Sequence, residues 1–163
     1  MLKLLKPKES FKRIEDIDLK KYVDTFDALI IDLDNTLVTR GSEYIEEDVL
    51  KWIEYARKHF KIGVISNNYK NRVKFIEKRF GFPSIGRGFK PLPFSFKKLI
   101  KMLKTKKEKT IVIGDQIFTD ILGGNLLGCH TILVEPKDRS KDFFLTKITR
   151  FFESLFRKKY TVI

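Results

Sequence analysis

Four short stretches of consecutive apolar residues mark the chain at 28–31, 62–65, 111–113 and 131–134. They are rich in Ile, Val and Leu and do not alternate with polar residues, the pattern of strands covered on both faces. The segments between them have helical spacing instead. Residues 46–60 place Val49, Leu50, Ile53 and Ala56 on one face. Residues 69–80 gather Val73, Ile76 and Phe80, with Gly81 as a C-terminal stop. Residues 96–103 bring Leu99, Ile100 and Leu103 together. A weaker strand falls at 84–88, where glycines interrupt the pattern. Strands alternating with helices imply a parallel sheet with helices on both faces. Residues 1–25 read as an N-terminal extension in which Phe11, Ile14 and Ile17 have helical spacing and face either the sheet or a membrane surface. Trp52 reads as partial core.

At 163 residues the chain fits one domain, 1–163, large enough to bury a core without disulfides. No apolar run approaches the length of a membrane span, and the first residues are too interrupted for a secretory signal. The single cysteine, Cys129, excludes an internal disulfide, reads as a small buried residue, and suits a cytoplasmic protein. The net charge of +13 changes the picture most. It favours anionic partners such as lipid headgroups, nucleic acid or phosphorylated substrates, although a lysine-rich solvated surface gives the same composition. Seven lysines and one acid, Glu108, lie between Lys97 and Lys109.

The acids fall at telling places. The first strand runs directly into Asp32-Leu33-Asp34-Asn35-Thr36-Leu37, the second into Ser66-Asn67-Asn68, and the third into Gly114-Asp115 with Asp120 close behind. In open parallel sheets, ligands bind at the carboxyl ends of the strands. Carboxylates crowded on one rim repel unless a cation or proton intervenes, and an all-oxygen site favours magnesium. His59 and His130 lack partners at metal-ligand spacing and read as structural. Gly123-Gly124 lacks the Gly-Lys-Ser/Thr that would complete a phosphate loop.

These residues resemble the motifs of the haloacid dehalogenase (HAD) superfamily. Asp32–Leu37 is similar to its DxDxT motif, Ser66 to the second, Lys90 in Phe89-Lys90-Pro91 to the third, and Gly114-Asp115 with Asp120 to GDxxxD. With Asp16-Ile17-Asp18 and Gly123-Gly124-Asn125, the resemblance narrows to the subclass IIIA phosphatases of the YqeG type. Their eukaryotic relatives include phosphatidylglycerophosphate phosphatases. It implies a three-layer α/β/α, Rossmann-like sheet without a cap domain, because 37–46 and 68–90 are too short for a folded insertion. It also implies a Mg2+-dependent phosphatase. Asp32 would be the nucleophile that forms an aspartyl-phosphate, Asp34 the acid–base group, and Lys90 a charge-neutralising residue. Asp32, the Asp34 backbone carbonyl and Asp115 would hold the metal. Asp120 would hold it through water or orient Lys90. Thr36, Ser66, Asn67, Asn68 and Arg72 would bind substrate, with the Ser66 hydroxyl and the Asn67 backbone amide on the phosphoryl group.

An open site admits large substrates, and the resemblance makes a lipid phosphate the leading one, with peripheral contact to an anionic membrane. Nucleotides and nucleic-acid ends are the rival substrates, although no nucleic-acid module is recognisable. A non-catalytic scaffold on this fold would predict loss of a motif residue, and none is lost. A C-terminal amphipathic helix over 139–160 would carry Phe144, Ile148, Phe151 and Leu155 opposite Lys147, Arg150 and Lys158. It would pack on the sheet or lie in a membrane interface.

Overall fold

The structure is a computed structural model that describes residues 2–138, Ser140 and Ser154. The amphipathic helix expected over 139–160 lies outside the described residues. The four apolar runs form strands β2 (Ala28–Asp32), β3 (Lys61–Ile65), β5 (Thr110–Gly114) and β6 (His130–Val134). Two further short strands flank them, β1 (Glu9–Phe11) and β4 (Ser84–Ile85). All pair in parallel in the order β1-β6-β5-β2-β3-β4. From β2 the chain moves first to β3 and β4 on one side, then crosses to β5 and β6 on the other. The topological switch point therefore lies between β2 and β5, where a crevice opens at the strand ends.

Successive side chains of a strand face opposite layers. Leu29 and Ile31 join a core beneath α1 (Glu47–His59) and α2 (Lys74–Phe80), and Ala28 and Ile30 join another with α3 (Pro93–Met102). Helix α4 (Leu122–Leu127) adds Leu127 to the second layer. Full burial of each such aliphatic side chain stabilises the fold by about 1.5–3 kcal/mol. Helix α1 has Glu47 and Asp48 in its first turn and Arg57, Lys58 and His59 in its last, both favourable to the helix dipole. Gly81 ends α2 with φ of 73°, the left-handed cap that glycine adopts without penalty.

Several local expectations change. The spacing of Phe11, Ile14 and Ile17 does not make a helix. Phe11 ends β1, Ile14 and Ile17 are buried in the core around short 3-10 turns, and the Trp52 Nε1 donates to the Ile17 carbonyl at 3.0 Å. The segment thus belongs to the sheet and its first layer rather than extending from it. The helix expected over 69–80 begins instead as a 3-10 turn, Lys70–Arg72, and becomes α-helical at Lys74. A π-helical turn, Ile117–Ile121, leads into α4. His130 Nε2 lies 2.8 Å from Glu9 Oε1, tying β6 to β1, and the His59 ring lies tilted against Tyr55 with centroids 4.5 Å apart. Cys129 is buried, and burial pushes its thiol up to about 12.

Candidate active site

Asp32 is the last residue of β2, at the switch point. Asp115 follows the end of β5, and Asp120 sits in the π-helical turn just beyond. The carboxylates of Asp32, Asp115 and Asp120 are all buried, and their ligand-capable oxygens lie within 4.8 Å of one another. Gly114 makes this approach feasible: a Cβ there would lie 2.3 Å from the Asp120 carboxyl carbon. The Gln116 backbone amide donates to Asp120 Oδ2 at 3.1 Å and fixes its direction.

Lys90 enters from the loop between β4 and α3. Its buried ammonium donates to Asp32 Oδ1, and to Asp120 Oδ1 at 2.6 Å. Asn67 holds this loop in register with a reciprocal pair: the Lys90 backbone amide donates to Asn67 Oδ1 at 2.7 Å, and Asn67 Nδ2 donates to the Lys90 carbonyl at 3.1 Å. The preceding Phe89 adopts φ of 50°, a left-handed conformation that costs a bulky residue about 1–2 kcal/mol.

Burial pushes the Asp32 carboxyl well above its usual range. Lys90 pulls it back, while Asp120 and Asp115 push it further up. For Lys90, burial favours the neutral amine, but Asp120 and Asp32 outweigh it and the net shift is upward. Three buried carboxylates thus share a single ammonium. Asp32 Oδ2 is buried with no hydrogen-bond partner among the described residues, which is costly unless another group meets it. An all-oxygen donor set, three carboxylates beside one ammonium and an orphaned carboxylate oxygen fit a hard divalent cation.

Asp34 lies elsewhere. Its carboxylate does not join the acidic cluster and cannot be counted among its ligands, although the expected role of its backbone carbonyl is a separate matter. Oδ2 accepts from Asn68 Nδ2 at 2.7 Å and from the Ser66 hydroxyl at 3.2 Å. Oδ1 accepts from Arg72 Nε at 3.1 Å and from the Gly41 amide at 3.4 Å. Arg72 also donates to the Ser42 carbonyl, which ties the loop after β2 to the loop after β3. Asn68, Arg72 and Gly41 also line a surface depression shared with Tyr69.

The predicted residues therefore divide. Asp32, Lys90, Asp115 and Asp120 converge, and Asp34, Ser66, Asn68 and Arg72 form a second group beside them. Ser66 points its hydroxyl at Asp34 rather than into the strand-end crevice, and Asn67 uses its side chain on the Lys90 backbone, which leaves the role expected of its backbone amide untouched. Thr36 is buried and lines a depression with Arg13 and Lys137. Sequence reasoning missed Asn35, a buried residue at φ of 68° whose amide donates to the Val38 carbonyl at 2.7 Å and whose Oδ1 accepts from Arg40 at 3.3 Å. The Asp-Asn pair after a strand was the available signal, because Asn tolerates this backbone region.

A parallel sheet with an acidic cluster and a lysine at its switch point defines a class, and the comparisons agree. The HAD-hydrolase-like family profile matches residues 89–142. The fold is shared with an uncharacterized protein from Listeria monocytogenes serotype 4b (TM-score 0.55, 16% identity, covering 81% of this chain and 99% of that one). It is also shared with the cobalt-bound deoxy-D-mannose-octulosonate 8-phosphate phosphatase YrbI from Haemophilus influenzae (TM-score 0.54, 15% identity, covering 69% and 70%). The probable phosphatase YqeG of Bacillus subtilis is 38% identical over 150 residues, covering 91% of this chain and 87% of its own. The chain belongs to the YqeG-type family of HAD-like phosphatases. It is also 27% identical over 145 residues to the chloroplastic/mitochondrial phosphatidylglycerophosphate phosphatase 1 of Arabidopsis thaliana, covering 83% of this chain but only 42% of that protein.

Proposed function

We propose that this chain is a magnesium-dependent phosphomonoesterase that forms an aspartyl-phosphate on Asp32, and that it removes phosphate from a phospholipid headgroup of the phosphatidylglycerophosphate kind. The observation that carries the first part is Asp32 itself, with one oxygen on Lys90 and the other buried without a partner at the strand end. Asp32 attacks phosphorus in line, and the bond from phosphorus to the leaving alkoxide breaks as Asp34 supplies its proton. Asp34 then takes a proton from water, the water oxygen attacks phosphorus, and the bond to Asp32 breaks to release phosphate. Lys90 balances charge on Asp32 and on the transferring group throughout. Arg72 and Asn68 hold the Asp34 carboxylate in place for both proton transfers. Asp32, Asp115, Asp120 and the Asp34 backbone carbonyl would hold the magnesium ion, which when bound neutralises charge on the phosphoryl oxygens.

The lipid part rests on three features. The Arabidopsis relative is a phosphatidylglycerophosphate phosphatase by name. The segments 37–46 and 68–90 are too short to hold a folded cap over the strand ends, which suits a large substrate. The net charge is +13. Among the described residues no helix is long and apolar enough to cross a membrane.

Phosphate release from phosphatidylglycerophosphate in mixed micelles, nucleotides, phosphosugars and phosphorylated DNA ends tests both parts. Chelation should abolish turnover and Mg2+ should restore it. The lipid should exceed every other substrate at least about tenfold in kcat/KM, roughly 1.4 kcal/mol of transition-state preference. Metal-independent turnover would refute the first part, and a faster nucleotide the second.

A further inference from the structure

The loop that delivers Lys90 to Asp32 also carries large apolar side chains outward. Phe89 is 59% exposed, Leu92 53% and Phe94 52%. The rings of Phe89 and Phe94 lie 6.1 Å apart, and the Leu92 amide donates to the Phe89 carbonyl at 2.9 Å, so the three form one contiguous projection. Phe89 does so from the left-handed backbone conformation noted above, and the aromatic partner its ring has is itself exposed. Water does not reward such exposure, and scattered single hydrophobes are ordinary where a cluster beside a site is not.

The same surface is basic. Helix α3 has no acidic residue, and its outer side adds Lys97, Lys98 and Lys101, all exposed, to Phe94. Phe96 and Leu99 are buried on its inner side. Exposed aromatics followed along the helix by lysines match the boundary between acyl chains and anionic headgroups.

We propose that Phe89, Leu92 and Phe94 insert into an anionic lipid bilayer while Lys97, Lys98 and Lys101 meet its headgroups. This surface would bring the Lys90 edge of the active site onto the membrane. It deepens the lipid-phosphatase reading and rests on it for its purpose, but its test needs no turnover. Lysine near such a surface contributes about fivefold in binding each, so three together contribute about a hundredfold. Loss of one inserted aromatic ring removes about tenfold.

The experiment is cosedimentation of the full chain with vesicles of phosphatidylglycerol and phosphatidylcholine, against vesicles of phosphatidylcholine alone. Phe94→Ser and the triple variant Lys97→Ser, Lys98→Ser, Lys101→Ser are run beside it, each checked for an unchanged melting temperature. The expected results are binding to the anionic vesicles alone, weakened by salt. Phe94→Ser should reduce it about tenfold and the triple variant about a hundredfold. Folded variants that bind as the wild type does, equal binding to neutral vesicles, or a single-stranded oligonucleotide bound in preference to vesicles would each overturn the proposal. Vesicle binding by a protein that hydrolyses no phosphate ester would instead remove the enzymatic reading and leave this surface standing.

Discussion

Asp32 and Asp34 stand two residues apart, yet their carboxylates occupy opposite kinds of environment. Asp32 is enclosed among charges: Lys90 holds one oxygen, and Asp115 and Asp120 crowd the cluster. Asp34 is held mainly by hydrogen bonds from Ser66, Asn68, Arg72 and Gly41, contributed by loops nearer the surface. The partners of Asp32 come from the β5 side and the Lys90 loop, and those of Asp34 from the β3 side and the loop after β2. Three buried carboxylates against one ammonium make the surroundings of Asp32 favourable to a cation. Around Asp34 no such excess exists, and orientation is what its neighbours provide. One turn of chain thus separates charge handling from proton handling.

The sharpest way to break that division is to remove each carboxylate in turn. Asp32→Asn should lower turnover by about 10^4-fold or more while leaving the protein folded. A wild-type rate would end the nucleophile assignment. Asp34→Asn should cost about 10^2–10^4-fold in turnover but keep the rise in melting temperature that Mg2+ produces. At a hundredfold excess over Kd that rise corresponds to about 2.7 kcal/mol, or roughly 5–10 °C for a chain of this size. Differential scanning fluorimetry reads it, and loss of the Mg2+ response in Asp34→Asn would merge the two environments into one.

Arg72→Ala should act more mildly. It removes a charge-assisted hydrogen bond from Asp34 and frees the loop at Ser42, so kcat should fall by about ten- to a hundredfold, as expected for about 1.5–3 kcal/mol. Its Mg2+ response should match the wild type. Recovery by Arg72→Lys would show that charge alone suffices, whereas the two contacts made by the guanidinium predict poor recovery.

Much of this arrangement was legible in the sequence. Buried parallel strands need unbroken apolar runs, and β2, β3, β5 and β6 have them. The acids at their carboxyl ends then had to meet, as Asp32, Asp115 and Asp120 do. The rest depended on tertiary structure. Glu9–Phe11 is too short and mixed to announce a strand, and only pairing with β6 makes it one. Helix α4 contains Gly123 and Gly124, which disfavour helix locally. Its packing is tight enough there that a Cβ on Gly123 would lie 2.5 Å from the Phe96 ring. Pro93 at the first turn of α3 was the missed signal for its earlier start. No spacing rule links Arg72 to Asp34 or to the Ser42 carbonyl, so the enclosure of Asp34 was invisible until the loops were in place.

The smallest expected effect lies away from both carboxylates and serves as their control. Because burial raises the Cys129 thiol to about 12, above its usual value near 8.5, the folded state holds that proton more tightly. Its contribution to stability is full below about pH 8.5 and declines as pH rises toward 12. Cys129→Ala should therefore show a shallower alkaline loss of stability than the wild type in urea titrations, with turnover unchanged at neutral pH. An identical pH slope would remove this contribution.

The most direct test of the central claim is to look for phosphate on Asp32. Rapid mixing of the wild-type protein with a 32P-labelled substrate and Mg2+, followed by acid quench and peptide mapping, should place label on the peptide containing Asp32. That label should be released by hydroxylamine and absent from Asp32→Asn. Product formation by active protein with no covalent label at any quench time, or with label on another residue, would contradict the account.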